Sequence, residues 1–174
     1  MLFNSLAFLI FFPAVTISYF LLPHRFRWLL LLLASCYFYM AFVPEYILIL
    51  AATIAVDFYA GIMIGRAEGK KKANYLMLSV LVNIAFLFVF KYYGFFRENV
   101  NNAAGSDLIP LYKIVLPIGL SFHTFQSLSY IFEVYYGRQV PVTHFGRYAL
   151  FVMYYPQLVC GPIERPFNLL KQFL

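Results

Sequence analysis

Charged residues are scarce in this sequence. They make up only 11% of its 174 residues, whereas a soluble domain has about 25%. Hydrophobic residues make up 63%, and the mean hydropathy is +0.78. A soluble domain of this length could not bury so much apolar surface, because every folded protein still exposes a large outer shell. The shortage of charge therefore excludes a soluble globular protein and predicts a membrane protein.

Cysteine is also rare, and the N-terminus lacks the features of a signal peptide. Cys36 and Cys160 each lie in an apolar run, without a second Cys or a His at metal-ligand spacing. This excludes a disulfide framework and a zinc site, and we expect neither a metal nor a bound cofactor. The first apolar run has no basic stretch before it and no small-residue cleavage site after it. We therefore predict that it is retained as a membrane helix.

Six apolar runs divide the chain. A helix needs about 20 apolar residues to cross a bilayer, and the runs approach or reach that length at 1–24, 28–43, 46–65, 75–90, 114–136 and 148–163. Pro13 is expected to kink the first run, and Pro156 and the Gly161-Pro162 pair to break the last. The predicted fold class is all-α, with a single polytopic membrane domain over residues 1–174 and about six transmembrane or re-entrant helices.

The net charge of +6 is concentrated in short loops between these runs. Three of the loops, 24–27, 66–74 and 137–147, hold eight Lys and Arg residues. The positive-inside rule places these loops in the cytoplasm and the N-terminus outside. Basic residues beside apolar runs indicate membrane lipid as the partner, not nucleic acid. The segment 91–113 is predicted to be an interfacial half-helix followed by a loop on the outer surface.

One carboxylate, that of Asp57, lies inside an apolar run. An acid near the centre of a membrane helix costs about 2.5–3.5 kcal/mol on insertion scales, so it should face the protein interior, paired or protonated. Asp57 could be a proton or ion site, or a structural residue that joins two helices. The other early runs hold no second acid or base, which favours the structural role. Asn83 in the fourth run is the predicted partner.

The fifth run carries a polar stripe. At 100° per residue the stripe occupies about one third of a helix circumference, and it contains Gly119, His123, Gln126, Ser129 and Glu133. In lipid, such a stripe must face other protein or water. Pro117 and Gly119 predict a break or re-entrant entry at its start, and Glu133 is expected to lie near Arg165 or Arg138.

His123 is the residue on this stripe that could do chemistry. It could act as a general base, or it could make a polar contact between helices. The sequence shows no acid to orient it and no nucleophile motif such as G-x-S-x-G. Both absences favour the helix contact. We therefore predict no catalytic residue within this chain.

Two late stretches carry a resemblance to a known family. The stretch "LPIGLSFHTFQSLSYIFEVYYG" (116–137) and then "FVMYYPQLVCGPIERP" (151–166) resemble the membrane-bound O-acyltransferase family. Earlier stretches, among them "RWLLLLLASCYFYMAF" and "FKYYGFF", are similar in the same order to its bacterial alginate O-acetyltransferase branch. Teichoic-acid D-alanyl transferases are a cousin of this branch. Tyr136 departs from the pattern, because this branch often has a basic residue at that place.

The resemblance implies what a complete protein would do. It implies a multispanning enzyme of the bacterial inner membrane that transfers an acyl group, expected to be acetyl, to hydroxyls of an exported polysaccharide, as in alginate biosynthesis. It implies a cytoplasmic acetyl thioester such as acetyl-CoA as donor. The partners would be the C-terminal part of the same protein and an exported or membrane-tethered acetyltransferase.

The resemblance also places the family's working histidine beyond Leu174, so we expect the 174-residue chain alone to be inactive. Two alternatives remain open at this point. One is D-alanyl transfer to teichoic acid, as in the cousin family. The other is a non-enzymatic membrane protein, either a transporter subunit or a truncated, inactive remnant. A transporter should show inverted repeats and ionisable residues in several spans, and the sequence shows no repeat.

Overall fold

A computed structural model describes residues 5–41, 44, 46–105, 110, 119–158 and 166–173. Most of these residues lie in helices, and none of them lies in a strand. The helices in chain order are α1 (Leu6–Leu21), α2 (His24–Met40), α3 (Tyr46–Arg66), α4 (Gly69–Ala104), α5 (Leu120–Tyr135), α6 (Phe145–Met153), α7 (Tyr155–Leu158) and α8 (Pro166–Phe173).

The structure confirms the prediction of an all-α membrane protein. Two helical stretches, Ile47–Arg66 and Gly69–Ala104, are long and apolar enough to cross a membrane, and α1 is a shorter apolar helix. Large apolar side chains are exposed on the outside of the bundle; Leu6, Leu21 and Leu48 are 77%, 80% and 72% exposed. Such a surface needs lipid or further protein to cover it. The number of crossings, about six, stays a prediction.

The core lies between α3, α5 and α6. Its fully buried side chains come from all three helices and include Ile54, Phe58, Tyr130, Ile131, Tyr148 and Phe151. A smaller cluster joins α1, α2 and α7 around Val15, Phe38 and Tyr155. By contrast, α4 buries only Ser79 and Asn83. Most of the apolar surface of α4 therefore faces away from this core, although Tyr75 and Leu76 pack against it.

Two helices extend beyond the apolar runs that predicted them. The basic residues 24–27 form the first turn of α2 and are not a loop. Likewise α4 begins at Gly69, so only Ala67 and Glu68 separate it from α3. Both corrections have the same cause. An apolar run marks the part of a helix that contacts lipid, whereas the backbone hydrogen bonds of the helix continue through charged residues outside it.

The segment after the fourth run was also predicted incorrectly. Residues 91–104 are not a separate interfacial half-helix, because α4 continues through them without a break to Ala104. At 1.5 Å per residue its 36 residues span about 54 Å, well beyond a hydrocarbon core of about 30 Å. The helix ends at Gly105, whose φ of 63° is the left-handed conformation that suits glycine at a helix C-terminus. Residues 106–109 and 111–118 lie outside the described residues.

The predicted proline and glycine breaks differ in outcome. Gly119 adopts a φ of 83° directly before α5 begins at Leu120, but the predicted break also depends on residues 111–118, which lie outside the described residues. Tyr154 separates α6 from α7, two residues before Pro156. Pro13 lies inside α1, which is continuous through it. Pro117 and the Gly161-Pro162 pair lie outside the described residues.

The three basic segments gather at one end of the bundle, which we call the basic end. The rings of Trp28 and His144 are 4.9 Å apart, so residues 24–28 contact the loop before α6. A side chain at Gly65 would collide with Pro141, and Lys72 Nζ lies 5.4 Å from the Tyr135 ring centroid. The sequence predicted that these segments share one side, and the contacts confirm it.

The basic end yields a prediction about topology. Reporter fusions after Lys71 and after Asn102, near opposite ends of α4, should report opposite sides of the membrane, with Lys71 in the cytoplasm. A fusion after Arg138 serves as the control and should agree with Lys71, because both residues belong to the basic end. Reports from the same side for Lys71 and Asn102 would contradict a transmembrane α4.

Candidate functional site

The most polar part of the interior is built on Asp57, which α3 holds fully buried at 0% exposure. Its Oδ1 accepts hydrogen bonds from Ser79 Oγ at 2.6 Å and from Asn83 Nδ2 at 2.8 Å. Asn83 Nδ2 also lies 3.0 Å from Oδ2. Ser79 and Asn83 are four residues apart on α4 and therefore lie on the same face of it. The pair predicted from the sequence, Asp57 and Asn83, is thus in contact across α3 and α4.

A second side of the same carboxylate faces α5 and α6. Ser127 lies beside both Asp57 and the Tyr148 hydroxyl. However, Ser127 Oγ and Tyr148 Oη make no hydrogen bond of good geometry, although both atoms are buried. Asn83 Oδ1 is also buried without a partner. The Asp57 cluster, which we define as Asp57, Ser79, Asn83, Ser127 and Tyr148, therefore connects four helices and has spare hydrogen-bonding capacity.

His123 lies elsewhere on α5 and is 1% exposed. Its Nε2 is 3.4 Å from Thr53 Oγ1, and Thr53 Oγ1 lies 2.9 Å from the Leu50 carbonyl, to which it donates. The Thr53 proton is then engaged, so His123 must donate from Nε2 for the contact to be a hydrogen bond. His123 Nδ1 is buried without a partner. Among the described residues no carboxylate orients this ring, and the geometry is that of a helix contact between α3 and α5.

The remaining stripe residues differ in burial. Gln126 is 6% exposed, and its Nε2 has no hydrogen-bond partner. Ser129 and Glu133 are only partly buried. Glu133 Oε1 lies 3.8 Å from Arg138 Nη1, so one of the two partners expected for Glu133 is in place. The other, Arg165, lies outside the described residues.

The face that α5 buries is rotated from the predicted stripe by roughly a quarter turn, at 100° per residue. Its buried residues are Leu120, His123, Thr124, Gln126, Ser127, Tyr130, Ile131 and Val134. Ser127 and Val134 are near the centre of this face, while Glu133 is just outside its border and Ser129 further out. The stripe was predicted from polarity alone, whereas the buried face combines polar residues such as His123 and Ser127 with the apolar residues that pack against α3 and α6.

Several interior residues were missed at the level of sequence. Ser79 could have been found, because it is four residues before Asn83 and so shares its helix face. Ser127 and Thr53 carried no signal, since single hydroxyl residues are common in membrane helices. Tyr130 is 0% exposed, and its hydroxyl accepts a hydrogen bond from the Val142 N–H at 2.9 Å. That bond attaches the loop before α6 to the core.

Among the described residues, these contacts join helices, and no carboxylate lies against the His123 ring. Acyl transfer to a hydroxyl needs a base that reaches the hydroxyl and donors that stabilise the oxyanion. His123 contacts only Thr53 through its ring nitrogens. In the parts of the chain that the structure covers, no three His, Cys, Asp or Glu side chains are grouped as metal ligands. The geometry therefore agrees with a structural role for the predicted polar residues.

Sequence relatives connect this framework to a family. The chain is 38% identical over 180 residues to a "Probable alginate O-acetylase AlgI" of Pseudomonas aeruginosa, covering 99% of this chain and 34% of the relative. It is 35% identical to a protein of the same name from Azotobacter vinelandii, covering 99% and 36%. A "Peptidoglycan O-acetyltransferase" of Helicobacter pylori is 29% identical, covering 99% and 38%. No family model and no solved structure matches the chain.

The chain thus aligns over almost its whole length with relatives of which it spans about a third. The fold agrees, because the described residues are helical and form a bundle with an apolar outer surface. The late motifs quoted above and the order of the earlier ones point to the same relatives. Together these findings support an N-terminal portion like that of the membrane-bound O-acyltransferase family, similar to alginate O-acetylases over nearly the whole chain.

Proposed function

We propose that a complete protein carrying this chain is a membrane O-acetyltransferase that esterifies hydroxyls of an exported polysaccharide. The observation that carries the proposal is the alignment of 99% of the chain with alginate O-acetylases at 38% and 35% identity. A peptidoglycan O-acetyltransferase aligns over the same share of the chain. The names of these relatives share acetyl transfer to a polysaccharide and differ in the acceptor.

The proposal includes a direction across the membrane. The basic end would face the cytoplasm and the N-terminus the outside, in the inner membrane of a bacterium. The donor would be a cytoplasmic acetyl thioester such as acetyl-CoA. The acceptor would be outside, with a separate exported or membrane-tethered acetyltransferase as partner. These steps are supported by the positive-inside rule and by family resemblance.

In this proposal the chain supplies a scaffold and the rest of the protein supplies the base. The working histidine would lie beyond Leu174, as in the family. The core of α3, α5 and α6 would support the missing part, and the exposed apolar surface of α4 would face that part or lipid. Side chains such as Met77, Leu78 and Leu81 on α4 are 64%, 55% and 58% exposed.

A deletion strain tests the proposed function directly. Removing the gene for the complete protein should eliminate most ester-linked acetyl groups from the exported polysaccharide, and a plasmid copy should restore them. Incorporation of radiolabelled acetate into isolated polysaccharide is the measurement. If ester-linked acetyl is unchanged in the deletion strain, the proposed activity is wrong.

His123 gives a sharper prediction about which part does the chemistry. In the complete protein, His123→Phe should keep most acetyl transfer, because it removes one helix contact worth about 0.6–2 kcal/mol. Losing a general base would instead lower the rate by about 10²–10⁴-fold. The measurement is acetyl incorporation divided by the amount of protein in the membrane.

Thr53→Val is the matched control, since it removes the other side of the same contact. The two variants should behave alike if His123 only joins helices. A loss above about a hundredfold in His123→Phe at normal protein level, with Thr53→Val still active, would make His123 catalytic.

A further inference from the structure

The basic end contains a cavity of about 390 Å³ between α1, α2, α6 and α8. Three arginines line it: Arg25 and Arg27 from the first turn of α2, and Arg147 from the first turn of α6. His24 and His144 also line it, and none of the lining residues that the structure describes is acidic. Three arginines thus line one small cavity, and the described part of its lining offers no carboxylate to neutralise them.

The backbone adds partial positive charge at this cavity, the same sign as that of the arginines. It lies at the N-termini of α2 and α6, where free N–H groups and the helix dipole both attract anions. Pro23 precedes α2 and gives it no side-chain cap. Arginines in the first turn of a helix are unfavourable beside the positive end of its dipole. Their presence in both helices makes the cavity a place of high positive potential.

The lining residues still have unused donors. Arg147 Nε is buried without a hydrogen-bond partner. His144 Nδ1 lies 3.4 Å from the Arg147 backbone N–H, from which it accepts, and this leaves His144 Nε2 as the donor of a neutral ring. Arg27 is held in place, because its Nε donates to the Leu22 carbonyl at 3.1 Å and its guanidinium lies 4.9 Å from the Tyr19 ring centroid.

The residues around the cavity are typical of a membrane–water interface. Phe26 is 49% exposed at its rim, and Trp28 packs edge-on against His144 at 4.9 Å. Trp28 is the one tryptophan in the sequence, and this residue type is favoured at membrane interfaces. Basic pockets between membrane helices bind the head groups of anionic lipids. Guanidinium groups are well suited to phosphate, because they can donate two parallel hydrogen bonds to it.

We propose that this cavity is a binding site for a phosphate group, carried by an anionic phospholipid or by a soluble organic phosphate. Arg25 and Arg147 line the cavity from two different helices, while Arg27 is held by its contacts with Leu22 and Tyr19. The proposal does not depend on the acetyltransferase function, since it rests on the charge and shape of the basic end alone.

Binding to the purified complete protein tests the site, with two probes that separate the two sources of phosphate. One probe is dioleoylphosphatidylglycerol, measured as retained lipid by native mass spectrometry against dioleoylphosphatidylcholine. The other is coenzyme A, measured by equilibrium dialysis. Preferential retention of the phosphatidylglycerol identifies a lipid head group, and saturable coenzyme A binding identifies a soluble phosphate. Wild-type protein that binds neither probe overturns the proposal.

The variant Arg25→Gln/Arg147→Gln should weaken binding of the active probe by about tenfold or more, since each basic residue near a membrane surface contributes a large share of the attraction to an anionic head group. Lys70→Gln/Lys71→Gln is the matched control, because it removes the same charge from exposed residues of the basic end outside the cavity. The control should bind within about twofold of wild type, since it leaves the cavity intact.

If both double variants lose binding equally, the attraction comes from the general surface charge of the basic end, and the proposed site is wrong. If the arginine double variant does not give monodisperse protein, Arg25→Gln replaces it, since Arg25 is exposed. The single variant should weaken binding about threefold or more, and unchanged binding would likewise overturn the site.

Discussion

Tyr130→Ala should be among the most destabilising single substitutions in this chain. The side chain is 0% exposed, and its ring centroid lies 4.8 Å from that of Tyr148 and 6.2 Å from that of Phe151. It also fills the space over Gly61, where an added Cβ would lie 2.9 Å from the Tyr130 ring. Truncating a buried aromatic to alanine costs about 3–5 kcal/mol.

The measurement is thermal stability of the complete protein in detergent, followed as the fraction that stays monodisperse after heating. Tyr130→Phe distinguishes the contribution of the ring to stability from that of the hydroxyl. It should cost about 1–3 kcal/mol, because the Val142 N–H would lose its acceptor. The control is Tyr136→Ala, directly after the end of α5, where the side chain is 63% exposed; it should change stability by about 0.5 kcal/mol or less. Equal stability of Tyr130→Ala and Tyr136→Ala would contradict the packing described for α3, α5 and α6.

Asn83→Leu should give the second large loss of thermal stability. The substitution removes the donor that contacts both oxygens of the buried Asp57 carboxylate, at 2.8 and 3.0 Å. Among the described residues, Ser79, at 2.6 Å, would then be the remaining donor with good hydrogen-bond geometry to that carboxylate. Hydrogen bonds to charged groups contribute about 1.5–3 kcal/mol, so we expect a loss of that size in the same heating assay. Asn99→Leu is the control on α4, since Asn99 is exposed and bonds only to the Phe95 carbonyl.

A double variant tests whether the two residues act as a pair. Asp57→Leu/Asn83→Leu should be more stable than Asn83→Leu alone, because it removes the stranded carboxylate together with its partner. A double variant less stable than either single variant would contradict this pairing.

A separate substitution tests whether Asp57 is a proton or ion site. Asp57→Asn should keep acetyl transfer in the complete protein, and loss of transfer at normal protein level would make Asp57 a proton or ion site.

The sequence predicted the helical membrane class and the family because both depend on many residues at once. The shortage of charge and the apolar runs report the solvent around each helix. The same information placed Asp57 and Asn83 inside, since a membrane leaves a polar side chain few alternatives to a partner. Helix ends were less well predicted. The charged residues Arg25, Arg27 and those at 70–72 are nevertheless helical, because backbone hydrogen bonds do not require an apolar surface.

By itself, then, the sequence determined the class of the fold, the gathering of the basic segments at one end of the bundle and the buried polar pair. Only the tertiary structure decided which face of α5 is buried and that Tyr130 holds the loop before α6. It alone brought Arg25, Arg27 and Arg147 to one cavity from positions about 120 residues apart in the chain. The physical reason is that solvent preference acts on each residue separately, whereas packing and charge clustering depend on which helices become neighbours.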